Sequence, residues 1–383
     1  MSEKASATAR ALQKSWLDNP DHRRWLRREA DSLFAFFEVD SLDPAGGFFA
    51  LDERGRAIPA ERERPVHATT RMVHCYTIGH LLGRPGAADL VDHGMQALLR
   101  RHRDPKHGGY FTSFDADGPR DTAKLAYGHA FVLLAGASAK LAGHPDADRL
   151  IADISEIIET RFWDEKQGAS AEEYLSDWTP FSAYRGQNSN MHLTEALMAA
   201  FEATGERAYL ARAERIADFF LRRMAADCRW RVPEHYHADW TIDRDYKGSD
   251  VFRPAGTTPG HSLEWARLAL QLWALGGNRL DWLPDAAKAL FEEATKSGWD
   301  AAGGFYYTLD WSGAPLIRDR LWWPCCEGIG AAAFLCRLEE GEALYESWYR
   351  RIWDFASRRL IDRHAGGWRP QLGDDLKEKN GYF

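Results

Sequence analysis

Four copies of a Gly-Gly-aromatic phrase punctuate the chain, at Gly46-Gly47-Phe48, Gly108-Gly109-Tyr110, Gly303-Gly304-Phe305 and Gly366-Gly367-Trp368. The steps between them are 62, 195 and 63 residues, and 195 is three steps of 65. A period of this length marks one supersecondary unit used several times, because a unit of about 60 residues cannot bury its apolar face alone and must stack on its neighbours. Six units fit the 383 residues, with two degenerate ones centred near Gln167-Gly168 and Trp230-Arg231-Val232.

The units share an internal grammar. An Asp and a turn glycine follow the glycine pair in Leu51-Asp52-Glu53-Arg54-Gly55, Phe114-Asp115-Ala116-Asp117-Gly118 and Leu309-Asp310-Trp311-Ser312-Gly313, which predicts a short β-hairpin. Between hairpins, apolar residues recur every three and four positions, as in Ala87 to Arg101 and Arg207 to Arg223. This helical period predicts eleven helices, at about 22–38, 68–83, 87–102, 122–142, 146–162, 189–204, 206–224, 260–276, 283–299, 323–338 and 343–360. Helix pairs repeated six times predict a closed ring, an all-α (α/α)6 barrel with short hairpins between helices, in which the helix after each hairpin lines the inner wall. The whole chain, 1–383, reads as one such domain, with residues 1–20 as an N-terminal arm. In the last unit the register places the twelfth, inner helix at about 385 to 391, past Phe383, so the chain as written is expected to lack it.

Composition narrows the ligand classes. No apolar run approaches a membrane span and Met1 opens no charged-then-apolar leader, which predicts a soluble, cytoplasmic protein. The five cysteines, Cys75, Cys228, Cys325, Cys326 and Cys336, are odd in number and follow no zinc spacing, as in a reducing compartment. A net charge of −8 disfavours nucleic acid and anionic lipid as partners. Neither a phosphate-binding loop nor a dinucleotide fingerprint is present, so no cofactor is expected. With 16 Trp, 13 Tyr and 19 Phe, the chain can fill a helical ring and still line a cup with aromatics beside polar groups, the setting in which sugar rings stack while their hydroxyls are hydrogen-bonded. A carbohydrate is the expected ligand, and the chain reads as a monomer or homodimer.

Four polar clusters fall at or near inner-helix starts. In Gly256-Thr257-Thr258-Pro259-Gly260-His261-Ser262-Leu263-Glu264-Trp265, Thr258 suits an N-cap, Pro259 the first helical position, and His261 and Glu264, three apart, share a face. A helix N-terminus there favours a neutral imidazole and stabilises a developing oxyanion, both needed for proton transfer beside a sugar carbonyl. In Tyr184-Arg185-Gly186-Gln187-Asn188-Ser189-Asn190-Met191-His192, Asn188 and His192 are four apart, with Glu195 a turn further on. His67 and Arg71 share a third face, where an inward Arg must meet a carboxylate or a ligand. Tyr127-Gly128-His129 forms the fourth cluster. Two further segments stand out: Trp322-Trp323-Pro324-Cys325-Cys326-Glu327, where Trp323 and Glu327 are cavity candidates, and Glu234-His235-Tyr236-His237, expected to close over the cup. His235 and His237 share a strand face, but no third ligand at a suitable spacing accompanies them, and no metal is expected.

Arg71-Met72, the Tyr184 to His192 segment, Glu234-His235, Thr258 to Trp265 and Trp323-Pro324 together resemble the N-acylglucosamine 2-epimerase superfamily, most closely its aldose-ketose isomerase branch, over residues 20 to 372. The resemblance implies metal-independent isomerisation of a free monosaccharide, of the D-mannose to D-fructose type or on D-lyxose. It also implies His261 as a catalytic acid/base oriented by Glu264, while Arg71, Tyr127, Asn188, His192 and Trp323 bind the sugar; from their places in the clusters, His192 is counted with the catalytic residues as well, and His67 and Glu327 with the sugar-binding ones. It implies a second catalytic His on the last inner helix, whose place falls past Phe383. Val251 stands where the sulfoquinovose enzymes of the branch are expected to carry Arg, which disfavours a sulfonated substrate. A sugar 2-epimerase, a glycosidase using Glu264 and Glu327 as its carboxylate pair, and a non-catalytic sugar-binding protein are the alternatives.

Overall fold

Among the described residues, eleven α-helices form where the three-and-four period runs, within a few residues of the predicted bounds. They are α1 (Pro20–Glu38), α2 (Val66–Leu81), α3 (Ala87–Ala97), α4 (Ala126–Leu141), α5 (Ala147–Ile157), α6 (Gln187–Thr204), α7 (Arg207–Ala217), α8 (Pro259–Leu275), α9 (Trp282–Gly298), α10 (Trp322–Leu338) and α11 (Ala343–Phe355). The computed structural model describes residues 15–250 and 252–380. Residues 1–14 of the predicted arm, and Val251, lie outside them. α3, α5, α7 and α11 each run on into a π-helical stretch, Leu98–His102, Ile158–Phe162, Asp218–Ala225 and Ala356–Leu360.

Burial sorts the helices into two layers. α4 is buried along almost its whole length, from Ala126 to Ala139, as an inner-wall helix must be. α5 buries Ala147, Leu150, Ile151, Ile154 and Ile157 at three- and four-residue spacing and turns its other face to water, the pattern of an outer helix. The inner helices α2, α4, α6, α8 and α10 pack in sequence, each against the next. The outer helices α1, α3, α5, α7, α9 and α11 surround them. After the π-helical stretch that ends at Leu360, the described residues hold no further helix.

The glycine pairs have a steric explanation. Gly47, Gly109 and Gly304 have φ of +73°, +74° and +83°, a left-handed conformation that costs other residues energy. A Cβ at Gly109 would lie 2.7 Å from Trp178 and 3.0 Å from His129, so the position is also crowded. The aromatics that follow, Phe48, Tyr110 and Phe305, are buried beneath the turns.

A second repeat lies hidden in the charges. Asp43, Asp104 and Asp300 each cap their glycine loop, accepting the N–H of Ala45 (2.8 Å), Lys106 (2.8 Å) and Ala302 (3.1 Å). Each also binds a buried cation at the entrance to the next inner helix: Arg64 to Asp43 at 2.8 Å, Lys124 to Asp104 at 2.8 Å, and Arg320 to Asp300. The pairs clamp hairpin to inner helix. Lys124 is wholly buried, so removing its partner leaves an uncompensated charge in the interior. Asp104→Ala is expected to cost about 3–5 kcal/mol in urea unfolding, and adding Lys124→Met should recover most of that loss.

Short strands stitch neighbouring units at the mouth. Arg64–Pro65 pairs with Ser113–Asp115, Lys124–Leu125 with Glu173–Tyr174, Arg185–Gly186 with His235–Tyr236, and Arg320–Leu321 with Gln371–Leu372. Because four of the inner helices begin directly after one of these ladders, their N-termini converge on one end of the barrel.

Candidate active site

The strand pairing of Arg185–Gly186 with His235–Tyr236 suspends Glu234 over the first turn of α8. Its Oε1 accepts the Thr258 N–H at 3.1 Å, and the Nδ1 of His261 lies 2.8 and 2.9 Å from its two oxygens. An ionised carboxylate can only accept, so Nδ1 carries the proton and Nε2 is left as a bare base. Burial alone would raise the Glu234 carboxyl, yet the facing His261, His235 and Gln187 hold it below the ordinary carboxylate range. The imidazole lies against Trp323, ring centres 5.1 Å apart and tilted by 32°. Gly260 permits this approach, since a Cβ there would stand 2.4 Å from the Trp323 ring.

A second group lines the wall beside it. Arg71 donates to the Tyr127 hydroxyl at 2.9 Å and lies 4.1 Å above the Phe131 ring. The His192 ring packs 5.3 Å from Tyr127 and 4.7 Å from Phe131, with Nδ1 3.5 Å from Glu264 and 3.6 Å from Glu195. Burial lowers the His192 pKa to about 4, leaving it neutral at pH 7, and burial with the neighbouring Arg71 does the same to His67. Tyr307 joins the two groups: it meets Trp323 edge-on at 6.2 Å, and burial followed by the charges of Glu234 and Tyr127 push its hydroxyl up.

Arg267 anchors a cluster of three carboxylates, at 2.7 Å from Glu327, 3.4 Å from Glu195 and 3.9 Å from Glu264. Burial and the repulsion of Glu327 raise Glu264 well above the carboxylate range, whereas His192 and Arg267 overcome burial to hold Glu195 below it. A raised carboxyl contributes stability that is present below its unfolded pKa and lost as pH rises through its folded one. Glu264→Gln should therefore remove a fall in stability between about pH 5 and about pH 8, measured as the difference in urea midpoint between the two.

The sequence-predicted residues thus divide. His261 and Trp323 meet, as do Arg71, Tyr127, His192 and Glu264. His67 stands edge-on to Tyr127 at 6.0 Å. Asn188, second residue of α6, has its Oδ1 buried and unpartnered. Glu327 is engaged by Arg267. His129 is a wall residue, its ring hydrogen-bonded to the Leu125 carbonyl (2.7 Å) and the Tyr110 N–H (3.1 Å).

Two expectations are corrected. Glu264 does not orient His261; Glu234 does. Side chains in a helix tilt toward its N-terminus, so His261 reaches back to the hairpin, whereas Glu264, one turn deeper, lies level with His192 and Arg267. Thr258 marks the start of α8 with Pro259 after it, but its hydroxyl makes no cap and Glu234 takes the backbone N–H instead. Glu234, Arg267, Phe131 and Tyr307 were not singled out as site residues by sequence reasoning.

Metal-ligating chemistry has one candidate among the described residues. His192, Glu195 and Glu264 bring ligand atoms within 4.8 Å of one another. Arg267 already sits against both carboxylates, and Glu264 tends to keep its proton, so the set fits a divalent cation poorly. His235 uses both ring nitrogens, donating to the Pro254 carbonyl at 2.7 Å and accepting from the Tyr184 hydroxyl at 2.8 Å.

Known proteins show the same arrangement of chain. The sequence profile of the N-acylglucosamine 2-epimerase (GlcNAc 2-epimerase) family matches residues 46–381. A D-mannose isomerase from Thermobifida fusca is 44% identical over 369 residues, 94% of this chain and 89% of that one. Another, from Pseudomonas cannabina pv. alisalensis, is 42% identical over 94% of this chain and 88% of its own length. A crystal structure of D-mannose isomerase superposes with a TM-score of 0.89 at 33% identity, covering 94% of this chain and 92% of that one. A cellobiose 2-epimerase from Spirochaeta thermophila DSM 6192, at 22% identity and a TM-score of 0.80 over 95% of this chain and 93% of its own, shares the fold. A profile match across nearly all of the barrel, together with relatives above 40% identity over 94% of the chain, shows that the chain belongs to the N-acylglucosamine 2-epimerase family.

Proposed function

We propose that this aldose-ketose isomerase interconverts D-mannose and D-fructose as a single-domain cytoplasmic enzyme. The observation that carries the chemistry is the Glu234–His261 pair, a buried carboxylate holding one imidazole nitrogen so that the other is a free base at the mouth of the barrel. Isomerisation moves the C2 proton to C1 and shifts a hydrogen between O1 and O2 through a cis-enediolate. In this reading the bare Nε2 of His261 first takes the proton of the anomeric hydroxyl and delivers it to the ring oxygen as the sugar opens, then serves the O1/O2 side. His192, neutral and within the same wall, is the second imidazole available for proton transfer. Arg71 and the N-terminus of α8 offset the negative charge of the enediolate. Trp323 stacks on an apolar ring face, while Tyr127, Asn188, His67 and Glu327 take hydroxyls.

Proton NMR of D-mannose incubated with the protein in D2O and a chelator tests this directly. Fructose carrying deuterium at C1 is the expected product, with the rate unchanged by the chelator. Glucose without fructose would overturn the isomerase reading in favour of a 2-epimerase, and loss of turnover with chelator would overturn the metal-independent one.

A further inference from the structure

Beneath the Glu234–His261 pair lies a side chain that touches neither the cup nor the solvent. Gln187, the first residue of α6, is completely buried. Its backbone N–H donates to the Glu234 carbonyl at 3.1 Å. Its Nε2 donates to Glu234 Oε2 at 2.8 Å, and its Oε1 lies 2.8 Å from the indole nitrogen of Trp265; the 2.9 Å approach of Nε2 to His261 Nδ1 brings together two donors that both turn their hydrogens to Glu234. The indole N–H can only donate, so Trp265 fixes the amide with its oxygen inward and its NH2 toward Glu234. Trp265 is itself fully buried on the same helix as His261 and cannot turn away.

We propose that Gln187, held by Trp265, is a positioning residue that keeps Glu234 ionised and His261 in its Nδ1–H tautomer; the proposal rests on the isomerase reading above. Three donors converge on the Glu234 carboxylate: the Thr258 N–H, the Gln187 amide and His261 Nδ1. A buried carboxylate keeps its charge only while such donors replace lost water. Remove the amide and Glu234 binds a proton more readily. A protonated Glu234 has an O–H that can donate to Nδ1, which moves the imidazole hydrogen to Nε2 and deletes the base facing the sugar. Gln187 also sits at the end of the strand pair that carries Glu234, so one residue fixes both the height of the carboxylate and its protonation.

The test compares wild type with Gln187→Met, which keeps the volume and removes the donor. Gln187→Glu is the second variant; it retains the Trp265 hydrogen bond and puts an acceptor where the donor was. Both are expected to lower kcat by about 10- to 100-fold with KM for D-mannose within about twofold, because Gln187 never meets the sugar. The acid limb of the pH profile should move to higher pH, furthest for Gln187→Glu, where two carboxyls share one proton. Imidazole 15N spectra should show His261 as the Nδ1–H tautomer in wild type and as a mixture in the variants. A folded variant with wild-type kcat, acid limb and 15N signals would overturn the proposal. The 15N comparison needs no substrate, so an absence of mannose turnover in wild type would remove the isomerase reading and leave this assignment to be decided by the tautomers alone.

Discussion

Replacing His261 with Ala is expected to lower kcat for D-mannose by about 10³-fold or more, within the upper range for loss of a positioned acid/base, with the thermal transition shifted by only a few degrees. The fold should tolerate the change because the groups around His261 keep partners. Glu234 retains the Thr258 N–H and the Gln187 amide, and Trp323 retains Tyr307 at its edge. What is lost is the bare Nε2, and no other imidazole among the described residues has its Nδ1 fixed by a carboxylate at 2.8 Å. The nearest analogue, His192, stands 3.5 Å from the Glu264 carboxyl, which burial and Glu327 push toward its protonated form. Initial rates and a melting curve on one preparation decide the matter; turnover within tenfold of wild type would remove His261 from the chemistry.

How much of this was legible in the chain depends on the range of the interaction. Helix positions were, because a period of 3.6 is written in every segment. α8 begins at Pro259 and α10 at Trp322, each within one residue of expectation. The buried ion pairs are also written in the chain, at a fixed spacing: Asp104 and Lys124 stand 20 residues apart, as do Asp300 and Arg320, while Asp43 and Arg64 stand 21 apart. That spacing is a second reading of the period that the glycines announce. The Glu234–His261 contact was not legible. It spans 27 residues, and the intervening segment returns to the barrel through side-chain and backbone contacts that no local pattern announces, among them the His235 bond to Pro254, the Arg253 bond to Glu173 and the Thr257–Leu309 pair. Helical spacing pointed to Glu264, the carboxylate three positions on, because sequence periodicity reports which face a residue occupies and not its depth. Depth separates the two carboxylates: Glu234 is at the mouth with three donors and stays ionised, and Glu264 lies among Glu195, Glu327 and Arg267 and tends to stay protonated.

That difference makes the pair of substitutions Glu234→Gln and Glu264→Gln a sharp comparison. An amide mimics a protonated carboxyl, the form that burial and Glu327 favour at Glu264, so there a loss of turnover of less than about tenfold is expected. At Glu234 the same change sets one carbonyl oxygen and one NH2 against three donors. Thr258 N–H, Gln187 Nε2 and His261 Nδ1 cannot all be accepted by a single oxygen, and the NH2 must face one of them. The arrangement that relieves this conflict moves the imidazole proton to Nε2, letting Nδ1 accept from the new amide. His261 then faces the sugar with a donor where a base is needed. The same isosteric change at the orienting carboxylate of a serine protease, which also traps the wrong tautomer, costs about 10⁴-fold in kcat, and Glu234→Gln is expected to fall in the range of about 10³- to 10⁴-fold with KM little changed. Measured side by side at about pH 7, near the working range of a neutral imidazole, a large loss at Glu264 with a small one at Glu234 would reverse the assignment and return the orienting role to the carboxylate on the helix.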